Sequence, residues 1–370
     1  MTSEERGQVK GPLSLDMFRG KRVLVTGHTG FKGSWLSFIL EELGASVYGF
    51  SIDEPVDRRH AYYALRVGDR LCNNGRAVGD VRDCVALQEM FSVARPEFIF
   101  HLAAQPIVSR SYEEPYRTFS TNLVGVLNVL ETLRLGYGDT TAVIITSDKC
   151  YKNKEQLSPY RESDEMGGDD PYSASKGAAE LAIHSYLVSY PGLCRSSGIA
   201  SARAGNVFGG GDWSIDRLIP DCARELFQGR EVEIRMPDAI RPWTYVLDIL
   251  FGYLSLALRL REAPAEYRGS WNFASGETRT VREIVQAFID SLGFGSIRIG
   301  KQNHVGKESG LLLIDPRKAN AQLPWSCKLT VLAGIMETAN WYRSQNEGHD
   351  MLIYSQELLR KRYLDGFGGN

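Results

Sequence analysis

Between residues 22 and 204 the chain alternates two kinds of segment, and that alternation leaves few folds open to it. "RVLVTG", "ASVYGFSI", "FIFHLAA", "AVIITS" and "GIASARAG" are short runs rich in Val, Ile and Phe, bounded by glycine or polar turns, and they read as strands. Between them, "GSWLSFILEELG", "CVALQEMFSVA", "TNLVGVLNVLETLRL" and "SASKGAAELAIHSYLVSY" read as helices. Strands this uniformly apolar need cover on both faces, so the pattern predicts an α/β fold with a doubly wound parallel sheet over residues 21–205. Residues 1–20 read as a polar N-terminal tail with one short amphipathic turn. Residues 206–370 are less regular and read as a smaller, mixed α/β C-terminal lobe. Part of it, about 240–262, is apolar enough to pack back on the first domain.

Composition narrows the partners. The chain has 370 residues, 24% of them charged, and a formal net charge of −2. That balance offers no basic surface for nucleic acid or an anionic membrane. Six scattered cysteines show neither a C-x-x-C pair nor zinc spacing, so no metal site is expected and the usage fits a reducing, cytoplasmic setting. The most apolar stretch, "VLDILFGYLSLALRL", is broken by Asp248 and Arg259 and is too short to span a bilayer.

"VLVTGHTGFKGSWLSFIL" sets Gly27, Gly30 and Gly33 directly after a strand and at the opening of a helix. Glycine there allows a tight turn and lets a pyrophosphate approach the backbone at the helix N-terminus. The domain over 21–205 therefore reads as a Rossmann-type dinucleotide-binding domain, with the later lobe binding substrate. The second strand ends at Ser51 with Asp53 two residues on, where an acid would favour the unphosphorylated cofactor, NAD. Arg58 and Arg59 follow and can also be read as a 2′-phosphate site. Asp80 and Val81 in "GDVRD" fall at the adenine edge or in a solvated turn.

The fourth strand ends oddly: "VIITSDKCYKN" places Ser147, Asp148 and Lys149 where an apolar run emerges. In open α/β sheets ligands bind at such carboxyl ends. Downstream, "DDPYSASK" opens a helix with Asp170 as cap and Pro171 at its first position. Tyr172 and Lys176 then share one helical face. A neighbouring ammonium favours the phenolate, so the pair can take a proton from an alcohol being oxidised.

These stretches, with "HLAAQ" and "RPWTYVLD", resemble the extended short-chain dehydrogenase/reductase family from Lys21 to about Trp341. "GHTGFKGSW", "TSDKCY", "GGGDWSIDRLIPD" and "RPW" resemble its CDP-glucose 4,6-dehydratase branch. The resemblance implies that His28, Phe31, Lys32, Leu102, Ala103, Ala104, Gln105 and Asn122 join the glycines, Tyr172 and Lys176 in holding NAD. It implies that Ser147 positions the sugar 4-oxygen, Tyr172 is the base and Lys176 its electrostatic partner. Asp148 and Lys149 would be the acid and base that remove water across C5 and C6. Ser147, Asn206, Asp216, Arg217, Leu218 and Arg241 would hold the nucleotide sugar. The implied reaction turns CDP-glucose into CDP-4-keto-6-deoxyglucose without net redox change, in deoxysugar biosynthesis for lipopolysaccharide O-antigen. Asp148 must then be protonated and Lys149 neutral; a mutual salt bridge would disarm both. A 4-epimerase, which has no task for Asp148 and Lys149, and a non-catalytic NAD-sensing protein are the competing readings. The apolar helices around "TNLVGVLNVLETLRL" and Tyr172 make a homodimer plausible.

Overall fold

A computed structural model describes residues 14–73, 79–137, 139–193, 198–300 and 310–364. Five strands, β1 (Arg22–Thr26), β2 (Ser46–Phe50), β3 (Phe98–His101), β4 (Thr141–Ile145) and β5 (Ile199–Ala204), are joined by a sixth, β6 (Gly269–Phe273), in the order β6-β5-β4-β3-β1-β2. Every pairing in this sheet is parallel. β3 and β4 are buried at every position, as strands covered on both faces must be. Successive side chains part to opposite faces. Val23, Val25, Phe100 and Val143 join one core with Trp35 and Phe38 of α1 (Phe31–Glu42). Leu24, Ile99 and Ile144 join the other with Leu87 and Phe91 of α2 (Cys84–Ala94) and Val129 and Leu133 of α3 (Gly125–Gly136). The strand order reverses between β1 and β3, which opens a crevice above their carboxyl ends. α4 (Pro171–Ser189) carries Tyr172 and Lys176; Asp170 caps it, accepting a 2.9 Å hydrogen bond from the Ser173 N–H, with Pro171 in its first turn.

The second half does not stay in its own lobe. β6 pairs with β5 in the main sheet, so a division at residue 205 misplaces Gly269–Phe273. Its run is too short to declare itself in sequence, but Trp271 and Phe273 are fully buried there. α6 (Val246–Glu262) lies against β4 and β5, and Val246 to Leu260 are buried along its length. The smaller lobe is built from α5 (Leu218–Leu226), α7 (Val281–Leu292), α8 (Val331–Asn346) and three two-stranded pairs. One of these pairs Ile297–Ile299 with Val232–Ile234. Among the described residues no helix is long and apolar enough to cross a membrane.

The end of the expected tail is also core. Leu15–Phe18 forms a 3₁₀ turn capped by Ser14, and Phe18 is buried with its ring 5.1 Å from that of Phe98 and 6.5 Å from that of Phe100. Amphipathic pattern alone could not reveal that this turn docks on the sheet. Phe18→Ala is expected to cost about 3 kcal/mol of stability, as large-to-small core substitutions do. Denaturant unfolding of the two proteins checks this; a difference within error would return the turn to the tail.

Candidate active site

The glycine turn is shaped by contacts that no side chain could share. Gly27 has φ +75°, and a Cβ on it would sit 2.7 Å from the Ala103 nitrogen. A Cβ on Gly33 would lie 2.0 Å from the Gly27 carbonyl oxygen, so α1 can begin this close to β1 only with glycine there. Gly30 ends the turn as the helix cap and supplies no side-chain acceptor. The first-turn N–H groups of α1 therefore lack intrahelical partners and open on the crevice, an arrangement that fits a dinucleotide pyrophosphate. Gly30, Phe31, Lys32 and Gly33 all line that crevice, a cleft of about 1600 Å³ running between the two lobes.

Ser51, Asp53, Asp80, Val81, Leu102, Ala103, Ala104 and Gln105 line the same cleft. Asp80 is held by Arg82, which donates from its backbone N–H at 2.9 Å and from Nε at 2.8 Å. Two residues expected at the cofactor fall elsewhere. The ring of His28 is buried beneath β2, where Gly49 makes room: a Cβ at Gly49 would be 2.6 Å from it. Burial pushes His28 down to about 4, against a backbone hydrogen bond at Phe50, and its Nδ1 lies 2.9 Å from Ser51 Oγ. His28 thus shapes the turn from behind instead of lining the cleft. Asn122 is buried in a π-helical turn ahead of α3. Its amide accepts from the Gln105 N–H at 2.8 Å and donates to the Gln105 carbonyl at 3.1 Å and to Ser175 Oγ at 2.9 Å, so it holds the "HLAAQ" loop. Arg59 pairs with Asp57 at 2.7 Å and stacks over Trp213, while Arg58 lies over Tyr63.

At the end of β4 the chain turns through Asp148–Cys150, with Ser147 Oγ as cap acceptor for the Lys149 N–H at 3.2 Å. Ser147 Oγ donates to Asp148 Oδ1 at 2.9 Å. Ser147, Asp148, Lys149, Tyr172 and Lys176 all line the cleft. Burial raises the Asp148 carboxyl above the usual range, more than the Lys149 charge, Ser147 and Arg241 lower it. Among the described residues Lys149 acts on Asp148 through space; the disarming salt bridge is not formed. Burial also raises Tyr172, opposed by hydrogen bonding with Ser147 and by the charge of Arg217. Lys176 donates to the Ile145 carbonyl at 3.3 Å and is lowered to about 8 by burial, with Glu180 resisting. Lys32 is lowered to about 7 by burial and by Lys176 and Arg217, with Asp148 opposing, and its ammonium lies 5.8 Å from the Tyr253 ring centroid.

Asn206, Asp216, Arg217, Leu218 and Arg241 reach the cleft from the second lobe. Asp216, at φ +57°, accepts a 2.6 Å hydrogen bond from Ser109 across it. Sequence reasoning missed Thr29 at the glycine turn and Glu180 behind Lys176; an acid one helical turn past the lysine was the available signal for the latter.

A doubly wound sheet with a glycine turn at its switch point and a Tyr–Lys helix beside it defines an extended short-chain dehydrogenase/reductase. A family model described as GDP-mannose 4,6 dehydratase matches residues 24–338, and the chain belongs to that family. It is 42% identical over 355 residues to a CDP-glucose 4,6-dehydratase of Salmonella typhimurium, covering 94% of this chain and 97% of that one. The crystal structure of a Thermus thermophilus UDP-glucose 4-epimerase complexed with NAD matches at TM-score 0.70 and 26% identity, over 87% of this chain and 99% of that one. A Bacillus anthracis dTDP-glucose 4,6-dehydratase complexed with NAD shares the fold at TM-score 0.69 and 20% identity, over 89% of this chain and 99% of that one.

The buried carboxyl gives a test. Because burial raises Asp148 above its unfolded value, ionising it costs stability. That cost is absent below about pH 3.9 and grows as pH rises from there to the folded value. Asp148→Asn is expected to melt at a higher temperature than the parent at neutral pH, with the difference vanishing near about pH 4. Equal melting temperatures at both pH values would contradict a desolvated Asp148.

Proposed function

We propose that this protein is an NAD-dependent CDP-glucose 4,6-dehydratase. The observation that carries the reading is a carboxyl kept toward its protonated form by burial, set between the Ser147 cap and a cleft lysine at the end of β4. An enzyme that only oxidises and re-reduces C4 has no use for a second acid there; one that expels a hydroxyl does. Choice of the cytidine nucleotide is supported by the 42% identity to the Salmonella enzyme. NAD, when bound, supplies the oxidation at C4 and the reduction at C6.

The chain's own residues do the rest. Tyr172 takes the proton of the 4-hydroxyl, with the Lys176 ammonium and Ser147 hydroxyl stabilising the phenolate. A ketone at C4 makes the C5 proton acidic, because the carbanion delocalises into the carbonyl. Lys149 removes that proton while Asp148 gives its own to the departing 6-hydroxyl, which leaves as water, and a proton returns to C5 as C6 is reduced. Arg217 and Arg241 bring positive charge to the reaction centre from the second lobe, where a nucleotide diphosphate would lie. Exposed Leu135 on α3 and Leu181 and Val188 on α4, 60–65% exposed, support a homodimer through that face.

Turnover screened across CDP-, dTDP-, GDP- and UDP-hexoses tests the reading. CDP-glucose should give a 4-keto-6-deoxy product; a C4 epimer, or a keto product from another nucleotide alone, would overturn it. Tyr172→Phe is expected to lower kcat by about 10² with little change in substrate affinity. Lys149→Met is expected to lower formation of the 4-keto-6-deoxy sugar by a similar factor, about 10², measured as product ketone. Near-parent rates in either variant would remove that residue from the mechanism.

A further inference from the structure

Beneath the reaction centre lies a buried ionic network that this reaction scheme does not use. Glu180 sits one helical turn beyond Lys176 on α4, on the face packed against the sheet. Its carboxylate accepts hydrogen bonds from Thr146, from Ser201 Oγ at 2.8 Å, from Arg203 at 2.6 Å and from Ser270 Oγ at 3.0 Å. Those donors come from the end of β4, from β5 and from β6. Thr146 is the residue before Ser147. Arg203 also donates to the Tyr151 hydroxyl at 2.6 Å, directly behind the turn that carries Asp148 and Lys149, and Tyr151 donates to Asn272 at 2.7 Å. Both ends of the Glu180–Arg203 pair are almost fully buried.

A carboxylate taken from water is retained only if charge-assisted partners satisfy it, and four donors on three strands do so here. The nearby lysine gains from that placement. We infer that Glu180 is a positioning residue for the Tyr172–Lys176 pair: its fixed negative charge holds Lys176 as an ammonium, and its strand contacts hold α4 in register with the Ser147–Lys149 turn. This rests on the catalytic reading of Tyr172 and Lys176 above.

Lys176 is otherwise faced by Cys150 of the turn, His101 of β3 and Lys32 of α1, with Tyr172 one turn earlier on its own helix. Burial and the like charge of Lys32 favour the neutral amine; Glu180 is the largest group opposing them. Removing its charge makes Lys176 lose its proton at lower pH, so the ammonium is lost earlier as pH rises.

The test is the pH profile of kcat at saturating CDP-glucose and NAD. Glu180→Gln should narrow the profile from its alkaline side, by about one pH unit. Glu180→Asp, which keeps the charge, should retain the parent's width even if its peak falls. If Glu180→Gln fails to fold with Arg203 left unpaired, Glu180→Gln with Arg203→Met removes the buried charges together, and the narrowing should persist. A profile lowered throughout but no narrower, in whichever neutral variant folds, would make Glu180 a structural residue and overturn the proposal. Lys176→Met marks the separate failure: an unaltered profile there would sink the catalytic reading itself, whatever the Glu180 variants do.

Discussion

Desolvation at the carboxyl end of β4 is the constraint on which the rest of the site depends. The turn there packs against α4, and burial pushes Asp148, Tyr172 and Lys176 each toward its neutral form. For Asp148 that direction suits an acid. For Lys176 and Tyr172 it is a hindrance, because the proposed mechanism needs an ammonium beside a phenolate. The surroundings answer the two cases differently. Ser147 and Arg217 pull the phenol back down, and Glu180 holds the ammonium up. One low-dielectric pocket can thus hold an acid and a base only because fixed charges are distributed unevenly around it.

The scaffold that creates this pocket is set by close approaches. α1 starts against the β1 turn because Gly33 has no side chain to strike the Gly27 carbonyl. The same approach presents the helix N-terminus to the cleft. On the other side of the switch point, Asn122 in its π-helical turn fixes the loop after β3 through both backbone groups of Gln105. π-turns of this kind are often found at functional sites, where they re-aim one side chain without ending the helix. The groups proposed to react are therefore placed by regular elements, and Arg217 and Arg241 line the same cleft from the second lobe.

How much of this can be read from sequence depends on how local the cause is. Strand and helix alternation, the Asp170 cap, the glycine turn and the Tyr172–Lys176 spacing are short-range patterns, and the structure forms each of them. β6 was not legible, because its place is decided by pairing with β5 more than 60 residues away in sequence and not by its own five residues. Phe18 looked like tail for the same reason. His28 is expected at the cofactor from the family resemblance, yet its ring turns inward into the gap left by Gly49 on the neighbouring strand. Glu180 is an ordinary helix acid in sequence; only the meeting of β4, β5 and β6 beneath it reveals four donors.

The account places oxidation, loss of water and reduction in one enclosed site served by one set of residues. Following hydrogen through a single turnover tests that most directly. With CDP-glucose deuterated at C4, in ordinary water, the account predicts deuterium at C6 of the 4-keto-6-deoxy product; in deuterated water, unlabelled substrate should yield product deuterated at C5. Loss of the C4 label to solvent, or its return to C4 in a product that keeps its 6-hydroxyl, would contradict it.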